Sequence, residues 1–188
     1  MTKVAIVYFS GYGHTVKQAQ AVEKGAAAVC DTTLITIDAE GNITPEQWET
    51  LKASSAIIFG CPTYMGGAPW QFKKFADASS KPWFEQAWKD KIAAGFTNSA
   101  SMNGDKGSTV SYLMTLAMQH GMAWVGTGMI ASSTKAATRN DVNFLGGFSG
   151  ALAQSPADSS PDEGPFPGDL ETARLFGERV ANWAKKAA

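Results

Sequence analysis

Apolar positions along the chain switch repeatedly between two spacings. Lys3-Val-Ala-Ile-Val-Tyr-Phe9 is a nearly unbroken apolar run, and Val16, Ala19, Val22, Ala26 and Val29 then recur every three or four positions. The unbroken run reads as a strand buried on both faces, and the second spacing as a helix with one apolar stripe. The alternation continues down the chain. Strands are predicted over 3–9, 32–37, 56–60, 91–96 and 122–126, and helices over about 15–29, 45–52, 68–78, 108–120 and 170–185. Thr44 before Pro45 reads as an N-cap followed by a proline at the first helical position.

Five strands alternating with five helices imply an α/β fold, a doubly wound parallel sheet with helices on both faces, formed as one domain over residues 1–188. Such a sheet places its ligand crevice at the carboxyl ends of its strands. Residues 129–168 break the alternation and are rich in Gly, Ser, Pro and Ala, ending in Ser159-Ser-Pro-Asp-Glu-Gly-Pro-Phe-Pro167. A segment this long without regular spacing is functional, interfacial or a surface excursion.

Composition narrows the classes. Apolar residues make up 44% and charged residues 18%, as in a globular chain. The net charge of −1 and the lack of a basic run argue against nucleic acid as a main partner. No apolar stretch reaches membrane-spanning length, and the apolar start is too short for a secretory signal, so a cytoplasmic location is expected. Cys30 and Cys61 have no metal-ligand spacing, so no metal site is expected and both read as reduced, packed thiols. Gly67 stands six positions after Cys61, where a CX5R phosphatase needs Arg.

The most informative stretch is Ser10-Gly11-Tyr12-Gly13-His14-Thr15, between the first strand and the first helix. Backbone N–H groups, hydroxyls and a helix N-terminus converge there, which makes an anion site. The loop has no Lys or Arg and lacks both the GxxxxGK[ST] and the GxGxxG pattern. Neutral donors suit one terminal phosphomonoester, such as that of FMN. An ordinary Gly-containing βα turn is the plainer alternative, and His14 reads equally as a phosphate contact or a solvent-facing side chain.

Two further loops follow strands that end at the same edge. Gly60-Cys-Pro62-Thr63-Tyr64-Met65-Gly66-Gly67 combines a rigid proline with glycines that allow close backbone approach. Thr97-Asn98-Ser99-Ala100-Ser101-Met102-Asn-Gly104 offers small polar donors to an electron-rich ligand edge.

These residues carry a resemblance to the flavodoxin-like superfamily, whose phosphate loop reads roughly [ST]-x-T-G-x-T. Ser10, Gly13 and Thr15 match, and Tyr12 replaces the middle Thr. Ser-x-Tyr-Gly-His is more similar to the tryptophan-repressor-binding-protein (WrbA-like) family of NAD(P)H:quinone oxidoreductases. Pro62, Thr63 and Gly66 match that family's second loop, Tyr64-Met65 stands where it often has Arg-Phe, and Ala100 and Met102 depart from the glycines of its third loop. The resemblance implies the strand order 2-1-3-4-5 and FMN held by Ser10 to Thr15, Pro62 to Gly66 and Thr97 to Met102.

It further implies that His120, in His120-Gly-Met122, approaches the flavin, often across a subunit interface, and that Trp83 and Tyr12 wall the substrate pocket. A helix-capping His120 and a packing Trp83 are the plainer alternatives. NADH or NADPH would be the electron donor and a quinone the acceptor, with no catalytic residue required of the chain. The resemblance also implies a homodimer or homotetramer. The connection from Ile37 to Ala56 is short where the family's founding members carry an insertion used in tetramer packing. The rival functions are a flavodoxin-type one-electron carrier, against which the near-neutral charge counts, and a non-catalytic interaction protein.

Overall fold

The computed structural model describes residues 1–187. Five parallel strands are ordered β2-β1-β3-β4-β5: β1 (Lys3–Tyr8), β2 (Asp31–Thr36), β3 (Ala56–Pro62), β4 (Ile92–Ser99) and β5 (Ala123–Trp124). A sixth, β6 (Ala151–Gln154), also pairs with β4. The helices are α1 (His14–Ala27), α2 (Pro45–Ala53), α3 (Trp70–Ala78), α4 (Ser80–Phe84), α5 (Lys106–Gln119) and α6 (Pro167–Ala187). This is the flavodoxin-like arrangement, with helices on both faces of the sheet.

Alternate strand residues supply the two cores. Val4, Ile6, Ala56, Ile58, Ala94 and Phe96 face one side and pack against Ala19, Val22, Phe176 and Val180 of α1 and α6. Ala5, Val7, Ile57, Phe59 and Ala93 face the other, against Leu51, Phe72, Phe75 and Leu113 of α2, α3 and α5. Burying both faces requires the unbroken apolar runs seen in β1 and β3. The cap expected at Thr44 is present as a reciprocal pair. The Thr44 hydroxyl accepts from the Gln47 N–H at 3.3 Å, and the Gln47 side chain accepts from the Thr44 N–H at 2.8 Å.

Three features differ from the sequence reading. First, β3 and β4 run on to Pro62 and Ser99, so Pro62, Thr97, Asn98 and Ser99 sit on strand ends rather than in loops. Second, the strand expected over 122–126 is regular only at Ala123–Trp124, where it pairs with Ile92 and Ala93. β6 takes over the same edge further along, pairing Ala151–Gln154 with Phe96–Ser99. The irregular segment thus returns to supply the strand at the carboxyl edge. Third, the short helix α4, carrying Trp83, lies between α3 and β4.

Candidate functional site

The first turn of α1 is built around Ser10 and Gly13. The Ser10 hydroxyl accepts from the Gly13 N–H at 3.1 Å and closes the loop. Gly13 takes φ of 90°, a left-handed conformation that a side chain would strain. It stands at the N-cap with no side-chain cap, and the first turn of α1 carries no acidic residue. The helix end is therefore left to an outside anion.

The second loop is a two-residue turn. Tyr64 and Gly67 exchange backbone hydrogen bonds of 2.9 and 3.1 Å, with Met65 and Gly66 between them at φ of 48° and 80°. Two consecutive positive φ values are those of a type I′ hairpin turn. Met65 is fully exposed at its tip, while the Tyr64 hydroxyl lies back over Gly11. Tyr64 meets Tyr12 edge to face at 5.9 Å, and burial raises its pKa above the ordinary phenol value. Tyr12 itself is 77% exposed.

Beneath this turn the strand ends are tied together. The Thr63 N–H donates to the Asn98 carbonyl at 2.8 Å, and the Thr63 hydroxyl lies 2.8 Å from those of both Thr97 and Thr109. The third loop is held from inside by Lys106, whose ammonium donates to the carbonyls of Ser101 at 2.6 Å and Met102 at 3.0 Å. Burial lowers the Lys106 pKa to about 8. Cys61 is wholly buried between these layers, and burial pushes its thiol pKa up.

A cleft of about 460 Å³ opens between the three loops, within the size range of small-molecule cofactor sites. Tyr12, His14 and Thr15 line its phosphate-loop end, and Pro62, Thr63 and Tyr64 one wall. Asn98, Ser99 and Ala100 line another. Ser10, Gly11 and Gly13 shape the first loop behind them. Met65, Gly66, Ser101 and Met102 lie outside the lining, with Met65 and Met102 exposed.

His120 and Trp83 are not in this cleft. They line a second cavity of about 380 Å³ at the other end of β4, where the Asp90 N–H donates to the Gly121 carbonyl. Six residues of strand, about 20 Å, separate Ile92 from Asn98. Within one chain the two cavities are separate.

The remaining wall comes from residues that the motifs did not mark: Ser155, Pro156, Ala157, Ser159 and Pro161. They follow β6 and fold over the phosphate loop. His14 Nε2 lies 3.0 Å from the Ser159 carbonyl, and Lys17 pairs with Asp162 at 2.8 Å. The Ser155 hydroxyl donates to Asn98 Oδ1 at 3.1 Å. The break in periodicity over 129–168 signalled that this segment was special, without saying what it touches.

The residues fit FMN. An uncapped helix end bordered by hydroxyls matches a phosphomonoester, and the flat apolar-and-polar walls around Pro62–Tyr64 and Asn98–Ala100 match a planar ring with a polar edge. Among the described residues no cluster of His, Cys, Asp and Glu could hold a metal ion, and no helix is long and apolar enough to cross a membrane.

Comparison with known proteins agrees with this geometry. The profile of the family described as NADPH-dependent FMN reductase matches residues 4–137. Flavodoxin FldP of Pseudomonas aeruginosa (strain UCBPP-PA14) is 52% identical over 181 residues, 96% of each chain. An NAD(P)H dehydrogenase (quinone) of Syntrophus aciditrophicus (strain SB) is 28% identical over 204 residues, 98% of each chain. Among solved structures, a flavodoxin, WrbA-like protein from Agrobacterium tumefaciens superposes with a TM-score of 0.81 at 49% identity, covering 100% of both chains. Sequence, fold and cleft agree: the chain belongs to the NADPH-dependent FMN reductase family, among its flavodoxin-like, WrbA-like members.

Proposed function

We propose that the protein is an FMN-dependent NAD(P)H:quinone oxidoreductase of the cytoplasm. The observation that carries this reading is a cleft of neutral donors whose lining holds no carboxylate, Lys, Arg or Cys and whose one imidazole, His14, is turned to the Ser159 carbonyl. FMN held there would supply the redox chemistry, two-electron transfer from NADH or NADPH to a quinone.

The chain's own work is positioning. Ser10 to Thr15 hold the phosphate with amides, hydroxyls and the α1 dipole. Pro62 to Tyr64 hold one edge of the ring, with Met65 and Gly66 at the turn beyond them, and the Thr63–Thr97–Thr109 hydroxyl cluster keeps that turn in register with β4. Asn98 to Ala100 present donors to the polar edge, with Thr97 buried beneath them and Ser101 and Met102 outside the cleft. Tyr12 and Tyr64 shield the ring from water and leave one approach for nicotinamide and quinone in turn.

Trp83 reaches a flavin only across an interface, in a homodimer or homotetramer whose second copy brings it to this cleft, while His120 lines the same cavity but is itself buried. The exposed Trp83, Phe84 and Met118 around the second cavity support such a contact. Cys30 and Cys61 are both unpaired, which supports a reducing compartment.

The likeness to a protein named flavodoxin supports a second reading, a one-electron carrier. Anaerobic titration of the FMN-loaded protein with NADPH separates the two. The oxidoreductase bleaches in one two-electron step and is reoxidised at once by benzoquinone. Slow bleaching through a long-lived one-electron form would favour the carrier, and absence of quinone turnover would sink the proposal.

A further inference from the structure

The segment that closes the phosphate loop has chemistry of its own. Residues 156–163, Pro-Ala-Asp-Ser-Ser-Pro-Asp-Glu, form two self-bonded turns. The Ser159 hydroxyl donates to the Pro156 carbonyl at 2.7 Å, and Glu163 accepts from both the N–H and the hydroxyl of Ser160 at 2.8 Å. The strap is anchored below through Ser155, whose N–H donates to the Ser99 carbonyl at 3.1 Å.

Three contacts lay it across the phosphate loop. Pro161 covers Gly13 so closely that a Cβ there would lie 2.8 Å from the proline ring. The Ser159 carbonyl faces His14 Nε2. A carbonyl only accepts, so Nε2 donates and is held away from any phosphate. Asp162 likewise takes Lys17, the cation of the first turns of α1.

The strap thus gives the outside of the loop no free side-chain donor, since the Ser159 and Ser160 hydroxyls both donate within the strap. It offers two prolines without N–H groups, a carbonyl, and the carboxylates of Asp158, Asp162 and Glu163, of which Lys17 pairs with Asp162 alone. A terminal phosphate can be satisfied inside the loop by amides and hydroxyls. A second phosphate would have to leave past Pro161 and Ser159. It would meet steric blockage and negative charge there, with no free side-chain donor or cation to replace its water.

We infer that the strap Pro156–Glu163 restricts this site to flavin mononucleotide and rejects the adenylyl-extended dinucleotide FAD, with Pro161 and Asp162 as the specificity-determining residues. The inference rests on the FMN reading and adds the source of its selectivity. It assigns a role to the one wall of the cleft that the phosphate, ring and edge loops do not provide. Rejection works through a built obstacle as well as through attraction to the preferred ligand.

The test is equilibrium binding of FMN and FAD, by quenching of flavin fluorescence, to the apoprotein and to Pro161→Gly, Asp162→Asn and the double variant. All sit on the surface, and a thermal melt checks that each is folded. The wild type is expected to bind FMN about a hundredfold more tightly than FAD, and the double variant to narrow that ratio about tenfold by gaining FAD affinity. Asp162→Asn alone should give a smaller gain that shrinks in high salt. Equal wild-type affinity for the two flavins would overturn the inference while leaving FMN binding intact. So would a ratio unchanged in the folded double variant, or one narrowed only by loss of FMN. Failure of the wild type to bind either flavin would overturn the FMN reading and the inference together.

Discussion

Ser79 Oγ and His120 Nε2 lie 2.8 Å apart beside the ring of Trp88, which lies tilted by 33° against the imidazole at 4.1 Å. The Ser79 hydroxyl donates its one proton to the Ala76 carbonyl at 2.6 Å, so the imidazole Nε2 must donate to Ser79. His120 Nδ1 is then bare, buried and without a partner among the described residues. Burial lowers the His120 pKa to about 4.

A pH dependence follows from that depressed value. Above the ordinary pKa of 6.5 both folded and unfolded chains hold the imidazole neutral. As pH falls from 6.5 towards 4 the unfolded chain gains a proton that the folded chain does not, so stability is lost through that window. At pH 4.5 the loss should reach about 2 kcal/mol relative to pH 7. His120→Gln removes this component while other groups titrate as before. Urea unfolding at the two pH values checks it, and parallel pH profiles for wild type and variant would refute the buried neutral imidazole.

The Thr63 hydroxyl serves two neighbours at once, Thr97 and Thr109, each at 2.8 Å. Thr63→Val keeps the shape and strands both in a buried setting. A stability loss of about 1–3 kcal/mol is expected, the usual result of leaving buried polar groups unpaired. Thr63→Ser should recover most of it. Because Thr63 also ties the second loop to β4, flavin affinity should fall with stability in the valine variant and return with serine. Equal stability of the two variants would contradict a working network.

Much of this architecture was legible in the sequence because it is local. Each buried strand is a short apolar run, each helix has its stripe, and Ser10, Pro62 and Thr63 stand where a strand meets a turn. The split edge was not legible. Trp124 starts as a strand residue, yet its indole N–H donates to Ser149, and the Thr127 N–H donates to Phe148. The chain leaves β4 because a segment some 25 residues later competes for the same edge, and local spacing carries no such information. Lys106 was invisible for a related reason. A lysine opening a helix reads as solvated, and only the folded third loop supplies the carbonyls that let it be 1% exposed. The placing of His120 follows from topology. A helix that begins at the carboxyl edge with Lys106 ends at the opposite one, about 20 Å away.

The contact of α1 with α6 depends on two glycines that periodicity treats as gaps. A Cβ on Gly25 would fall 1.8 Å from the Arg174 carbonyl oxygen, and one on Gly177 would fall 2.0 Å from that of Val22. The helices touch through their backbones, so alanine at either site must push them apart. Each substitution should cost at least about 2 kcal/mol despite the better helix propensity of alanine. The double variant should cost less than the sum, since one displacement relieves both clashes. Gly107→Ala is the control: a Cβ there meets nothing within 4 Å. It should be neutral or stabilising by roughly 0.5–1 kcal/mol. Thermal melts of the four variants decide it, and a Gly25→Ala chain as stable as Gly107→Ala would contradict the close crossing.

Lys106 sets the shape of the third loop from beneath. Its ammonium reaches the carbonyls of Ser101, Met102 and, at 3.4 Å, Asn103. Burial works against the charge, and Arg139 adds to that, while Asp169 opposes both. The carbonyls give the cation the contacts it has lost from water. Lys106→Met preserves most of the buried stem and removes all three donors. The loop over residues 100–105 should then lose its fixed shape, and stability should fall by about 1–3 kcal/mol. Hydrogen exchange read on peptides spanning that loop should speed up in Lys106→Met while the exchange of β1 and β3 stays close to wild type. Flavin affinity should fall about tenfold, because a loop that must be ordered on binding charges that cost to the ligand. Unchanged exchange in the loop together with unchanged affinity would show that the strand ends alone hold the third loop, and that the buried cation is there for some other reason.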